Sequence, residues 1–200
     1  MSTLDLPASS LVPPGARSEH ALLRLFRRLA YAEPSAPAHA RLVDELSADT
    51  AVLFGMPSRS RKTLRVGALL HDIGKLAVPH AILGKPAALT ASEWRIMREH
   101  PASGVRLLTG IVDDDGALAI VHCHHERWDG KGYPQRLAGD AIPLEARIVA
   151  VADAFHAMTE RRPYRRPRTR AAAIAELRAN AGGQFDPACV DAVCAVIDCP

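Results

Sequence analysis

An all-α fold is predicted for this chain of 200 residues, and three observations predict it. Apolar side chains recur at helical spacing, first as Leu22, Leu23, Leu25, Phe26 and Leu29 set against Arg24, Arg27 and Arg28. Helix-start signals punctuate the chain, with Thr90-Ala91-Ser92-Glu93 in capping-box spacing and Asp186-Pro187 near the end. No stretch reads as a convincing strand, and no internal repeat is visible.

Residues 1–17, rich in Pro, Ser and Ala, read as a flexible lead-in. Residues 18–32 form an amphipathic helix that packs on the main core or, as the alternative, pairs with a second copy in a homodimer. Residues 33–200 make the principal domain. Pro34 and Pro37 break the chain, and Ser35 is placed to cap a helix over 36–54. A helix over 60–73 keeps Leu64, Ala68, Leu69 and Ile73 in phase and carries His71-Asp72 at its end. Thr90 opens a helix to about His100, and Pro101 marks the boundary with another over 102–110. Asp113-Asp114-Asp115-Gly116 is a turn, followed by a helix over 117–126. Residues 127–143, with their Asp-Gly, Gly-Tyr-Pro and Gly-Asp steps, form an irregular loop or a small hairpin. A buried helix over 144–160, one from Thr169 to about Ala179 stopped by Gly182-Gly183, and one opened by Asp186-Pro187 complete the chain.

Hydrophobic content of 48% is ample for a packed core. A net charge of +3 is too small to imply DNA or RNA as partner, and 4% aromatic content argues against a base-stacking platform. The basic excess is local, with six arginines between residues 161 and 170. Cys123, Cys189, Cys194 and Cys199 contain no CxxC pair, so no structural zinc is expected. With no secretory signal and no apolar run of membrane-spanning length, the expectation is a cytoplasmic chain with free thiols.

The chemistry concentrates in two runs, His71-Asp72-Ile73-Gly74-Lys75 and, 53 residues on, the stretch from His124 to Pro134. Asp153 sits in the apolar run Ile148–Phe155, where an ionised carboxylate is costly unless it is paired. Taken singly, such residues read as hydrogen-bonded core groups. Taken together, His71, Asp72, His100, His124, His125 and Asp153 lie at helix ends or on apolar helices. Imidazole nitrogen with carboxylate oxygen suits Fe, Mn or Zn better than calcium. So many ligands exceed what one octahedral ion with open positions takes, and two ions are the natural solution. Two-metal centres drive in-line displacement at phosphorus.

The motifs HDIGK at 71–75, HP at 100–101, HHERWDGKGYP at 124–134, ARIVAVADAF at 146–155, RPYRR at 162–166 and GGQFDP at 182–187 occur in order. On these the chain resembles the HD-GYP family, a subgroup of the HD phosphohydrolases, from about Ala36 to Ile197. The resemblance implies an HD-domain helical bundle with an irregular GYP loop, a signalling phosphodiesterase that opens cyclic di-GMP to pGpG, with GMP as the alternative end product. It implies His71, Asp72, His100, His124, His125 and Asp153 as ligands of two divalent ions, with Asp72 bridging. Fe or Mn is favoured, and Zn, Ni or Co are the alternatives. A further ligand histidine is expected upstream; His39 suits that role better than His20 or His80. The resemblance also makes Lys75, Arg162 and Arg165 phosphate-binding groups, and Gly132, Tyr133 and Pro134 a lip that contacts diguanylate cyclase (GGDEF) domains. Three departures stand out. Ser35 holds the position of a third-metal Glu, Leu42 that of an Arg, and His156 that of a second Asp. The alternatives to catalysis on cyclic di-GMP are another nucleotide substrate and a non-catalytic binding or docking module.

Overall fold

The computed structural model describes residues 14–160 and 166–199. Among these residues the regular structure is helical, with one isolated bridge between Ala181 and Phe185. α1 (Pro14–Ala32) begins inside the segment read as a lead-in, and residues 1–13 lie outside the described residues. Leu25 and Leu29 of α1 are buried against Leu70, Ile73, Leu108 and Val121, so its apolar stripe is spent on the chain's own core. α2 (Ala36–Leu53) matches expectation in its bounds. Its cap does not: Ser35 is itself helical, at φ −78° and ψ −21°, and its side chain makes no capping bond.

α3 (Ser58–Leu70) stops three residues short of the expected end at Ile73, and a 3-10 turn, Ile73–Ala77, follows. The reason is close packing. A Cβ on Gly74 would run into the His100 carbonyl and the Gly104 amide, so this backbone must lie directly on the next long helix. A short α4 (His80–Leu83), with no signal in the sequence reading, comes next. α5 (Ala91–Met97) opens on the expected capping box: Glu93 N donates to Thr90 Oγ1 at 3.3 Å, and Thr90 N to Glu93 Oε2 at 2.7 Å. α6 (His100–Leu108) starts at His100 rather than 102, with Pro101 in its first turn, where a missing N–H costs nothing.

α7 (Asp115–Cys123) starts two residues before the expected 117 because Asp114 caps it, accepting from Ala117 N at 3.0 Å and from Thr63 Oγ1 at 2.9 Å. It ends at Cys123, so His124 falls at the C-cap. α8 (Leu144–Thr159), α9 (Arg170–Ala179) and α10 (Pro187–Asp198) stand as expected, the last two capped by Thr169 and Asp186. Val43, Leu64, Ile148, Val151, Leu177 and Val193 pack the main core between α2, α3, α8, α9 and α10. The second apolar cluster joins α1, α6 and α7. The polar residues of interest lie where helices from the two clusters meet.

Candidate metal centre

Five elements each deliver one or two side chains to one place. His39 comes from the first turn of α2, His71-Asp72 from the end of α3 and His100 from the start of α6. His124-His125 follow α7, and Asp153 lies midway along α8. The donor atoms fall into two sets, His39/His71/Asp72 and Asp72/His100/His124/His125, each with its atoms within 4.8 Å of one another. Asp72 belongs to both. Asp153 belongs to neither but lies beside them, its Oδ1 3.0 Å from His39 Nε2. All are buried except His125 and Asp153, which are partly so.

Three of the rings are aimed in the same way. Nδ1 of His71, His100 and His124 contacts the carbonyl three residues earlier, Ala68, Met97 and Val121, at 2.6, 2.8 and 2.8 Å. A neutral ring that donates through Nδ1–H leaves its Nε2 lone pair facing the centre. His71 Nε2 is buried without a hydrogen bond; it lies 3.3 Å from Asp72 Oδ2 but out of alignment. His100 and His124 bring their Nε2 atoms to 3.2 Å of each other. Burial, and then the neighbouring imidazoles, hold His124 well below the ordinary histidine range and bring His125 down to about 4. Burial lowers His100 as well. At His71 burial opposes protonation, yet the charge of Asp72 outweighs it and raises this ring to about 9. Asp72 and Asp153 stay ionised against burial, Asp72 through Lys75 and His71, Asp153 through its bond from His39. Imidazole nitrogens turned inward around buried carboxylates, with the buried Nε2 of His71 lacking a hydrogen bond among them, are a donor set that fits divalent cations, which would displace the proton that Asp72 holds on His71.

Lys75 does not reach this centre along a continued helix. The 3-10 turn carries it, placing Nζ 2.7 Å from Asp72 Oδ2 and 3.5 Å from Glu33 Oε2. Glu33 carried no sequence signal, since it stands beside Pro34 in what reads as a connection. The GYP loop is held by Glu126, whose carboxylate accepts from Gln135 N at 2.6 Å and Leu137 N at 3.1 Å. Gly132 is required there because a Cβ would strike the Glu126–Arg127 backbone. Tyr133 stacks on His125 at 4.9 Å, and the Arg98 guanidinium lies 5.6 Å from the Tyr133 ring. Pro134, exposed, follows a cis peptide. A cavity of about 380 Å³ opens over the centre between Glu33, Lys75, Trp94, Tyr133 and Asp153.

Of the departures, Ser35 is exposed and His156 sets its ring 6.5 Å from that of His39, its pKa lowered by burial and then by His39. Arg162 and Arg165 lie outside the described residues.

A helical bundle that gathers His and Asp side chains in this way defines a metal-binding HD domain, and a family model of the HD domain matches residues 24–189. The chain belongs to the HD-domain family, and its HHE…GYP run makes it an HD-GYP member. It is 42% identical over 180 residues to the cyclic di-GMP phosphodiesterase response regulator RpfG of Xanthomonas campestris, covering 88% of this chain and 47% of the relative. It is 40% identical over 156 residues to the 3′3′-cGAMP-specific phosphodiesterase 2 of Vibrio cholerae, covering 77% of this chain and 30% of the relative. The chain therefore spans less than half the length of these relatives. A crystal structure of a cyclic GMP-AMP-specific phosphodiesterase of V. cholerae (V-cGAP3) shares the fold, with TM-score 0.69 at 19% identity over 92% of this chain and 49% of the other. Among the described residues no helix is long and apolar enough to cross a membrane.

Proposed function

We propose that this chain hydrolyses a phosphodiester bond of cyclic di-GMP, giving linear pGpG, with GMP as the alternative end product. The observation that carries the reading is the pair of donor sets sharing Asp72, with Lys75 beside them. His39, His71 and Asp72 would hold one divalent ion, and Asp72, His100, His124 and His125 a second, with Asp153 completing the His39 side. Fe or Mn suits this mixed nitrogen and oxygen set, with Zn, Ni or Co as the alternatives. Bound there, such ions supply Lewis-acid charge and lower the pKa of water to near neutrality.

The chain's own groups do the rest. Lys75, whose pKa is raised as the charges of Asp72 and Glu33 outweigh its burial, stays cationic and can hold a phosphate oxygen beside the leaving ribose. Tyr133, stacked on His125, walls the cavity and keeps its hydroxyl proton, since burial raises its pKa. Arg162 and Arg165, a few residues beyond α8, are proposed as further phosphate contacts. Gly132, Tyr133 and Pro134 form the lip that a diguanylate cyclase domain would meet. Pairing of two copies through α1 has less support, because its apolar stripe already faces the core.

A 3′3′-cGAMP substrate is the second reading, favoured by the relative from V. cholerae. The test is to purify the protein anaerobically, measure bound Fe, Mn and Zn, and follow both cyclic dinucleotides by chromatography. Cyclic di-GMP should be consumed faster, and His71→Ala or Asp72→Ala should lose metal and turnover together. A metal-loaded protein that binds the dinucleotide and leaves it intact would overturn the proposal in favour of a sensor.

A further inference from the structure

Trp94 has no role in the chemistry above, yet it lines the same cavity as Asp72, Lys75 and His100. It is 46% exposed, an unusual state for the largest apolar side chain, and no residue of its helix α5 is buried. The helix is nevertheless pinned at both ends. At its start the Glu93 carboxylate is shared between Thr90 N and Lys85 Nζ, at 2.7 and 2.6 Å. At its end the Met97 carbonyl takes the contact from His100 Nδ1 at 2.8 Å. An indole held in place at the mouth of a cavity, with the metal-binding groups on the floor, is a surface awaiting a flat partner. Leu83, Leu89 and Met97 extend that apolar side of the cavity.

We propose that Trp94 is the stacking platform for one purine base of the cyclic dinucleotide whose phosphodiester lies over the cation-binding floor. This rests on the function proposed above and names the residue that would hold one base of its substrate. A purine offers an apolar face of about the indole's size, and its ribose tethers it to the phosphate below. The low aromatic content of the chain does not argue against this, because a single ring in the right place suffices.

The experiment uses the full chain loaded with Mn²⁺. Trp94→Ala should raise KM for cyclic di-GMP by roughly 5- to 150-fold, the range set by losing one base–aromatic stack, with a smaller change in kcat. Trp94→Phe should restore most of the loss. Inhibition by inorganic phosphate, which has no base, should be unchanged in both variants. An equal rise in the phosphate inhibition constant would overturn the platform, because Trp94 would then act through the Met97–His100 contact.

Fluorescence reads the same contact without turnover. The chain has two tryptophans, Trp94 and Trp128. A phosphorothioate cyclic di-GMP that resists cleavage should quench the wild-type signal, and the quench should vanish in Trp94→Phe. Quenching without cleavage of the natural substrate would keep the platform and overturn the phosphodiesterase. Cleavage without quenching would overturn the platform and keep the phosphodiesterase.

Discussion

Glu126 shows how one carboxylate shapes the loop over the centre. It is 4% exposed and accepts two amide hydrogens, from Gln135 and Leu137. Hydrogen bonds to a charged group contribute about 1.5–3 kcal/mol each. Glu126→Gln keeps the shape but replaces one acceptor oxygen with an NH2 that faces an amide donor. The expected result is a loss of about 2–3 kcal/mol of stability, read as a lower urea midpoint at unchanged slope. A midpoint equal to wild type would show that the loop does not lean on this side chain. The sequence exposed His71, Asp72, His124 and His125 because ligand-type residues in apolar helices are costly without a purpose. It gave Glu126 no role of its own within the HHERWDGKGYP run, and left Glu33, Arg98 and Trp94 unremarked for the opposite reason. Polar or aromatic residues in connections and on short helices are ordinary, and only the tertiary fold brings these to the cavity.

At the scale of elements, helices with a chemical start signal were legible and those set by packing were not. Thr90, Thr169 and Asp186 open α5, α9 and α10 as their spacing predicts. The end of α3 is dictated instead by Gly74 lying on α6, a contact invisible to periodicity. Asp186 does more than cap. It accepts from Ala188 N at 2.9 Å and from Arg147 Nη1 at 2.8 Å, and so fastens α8 to α10. Asp186→Ala should cost about 3 kcal/mol, near the lower end for removing a buried ionic partner, since Arg147 keeps Asp140 and the Ile142 carbonyl. Asp186→Asn, which retains a capping oxygen, should cost less. Thermal or urea unfolding ranks the two, and an equal loss would assign the whole effect to the ion pair.

For the whole molecule, the crowded imidazoles set how stability varies with pH when no cation is bound. His71 is raised from 6.5 to about 9, so its contribution is complete below pH 6.5 and fades as pH rises toward 9. His125 is lowered from 6.5 to about 4, so below pH 6.5 the unfolded chain takes up a proton that the folded chain refuses. Stability therefore falls as pH drops from 6.5 toward 4, and His124 and His100 act in the same direction. The metal-stripped protein should be most stable near pH 6.5, with lower melting temperatures at pH 5 and pH 8.5. A profile that climbs steadily across that range would contradict this account. The Nδ1 contacts have a consequence for how such a protein matures. An α-helix leaves the carbonyls of its final turn without amide partners, and His71, His100 and His124 plug such carbonyls at the ends of α3, α5 and α7. His71 and His124 thus finish their own helices, and His100 finishes the helix before its own, before any cation arrives. The chain should therefore fold without its cations, and the metal-stripped protein should keep the helical content of the loaded one by circular dichroism.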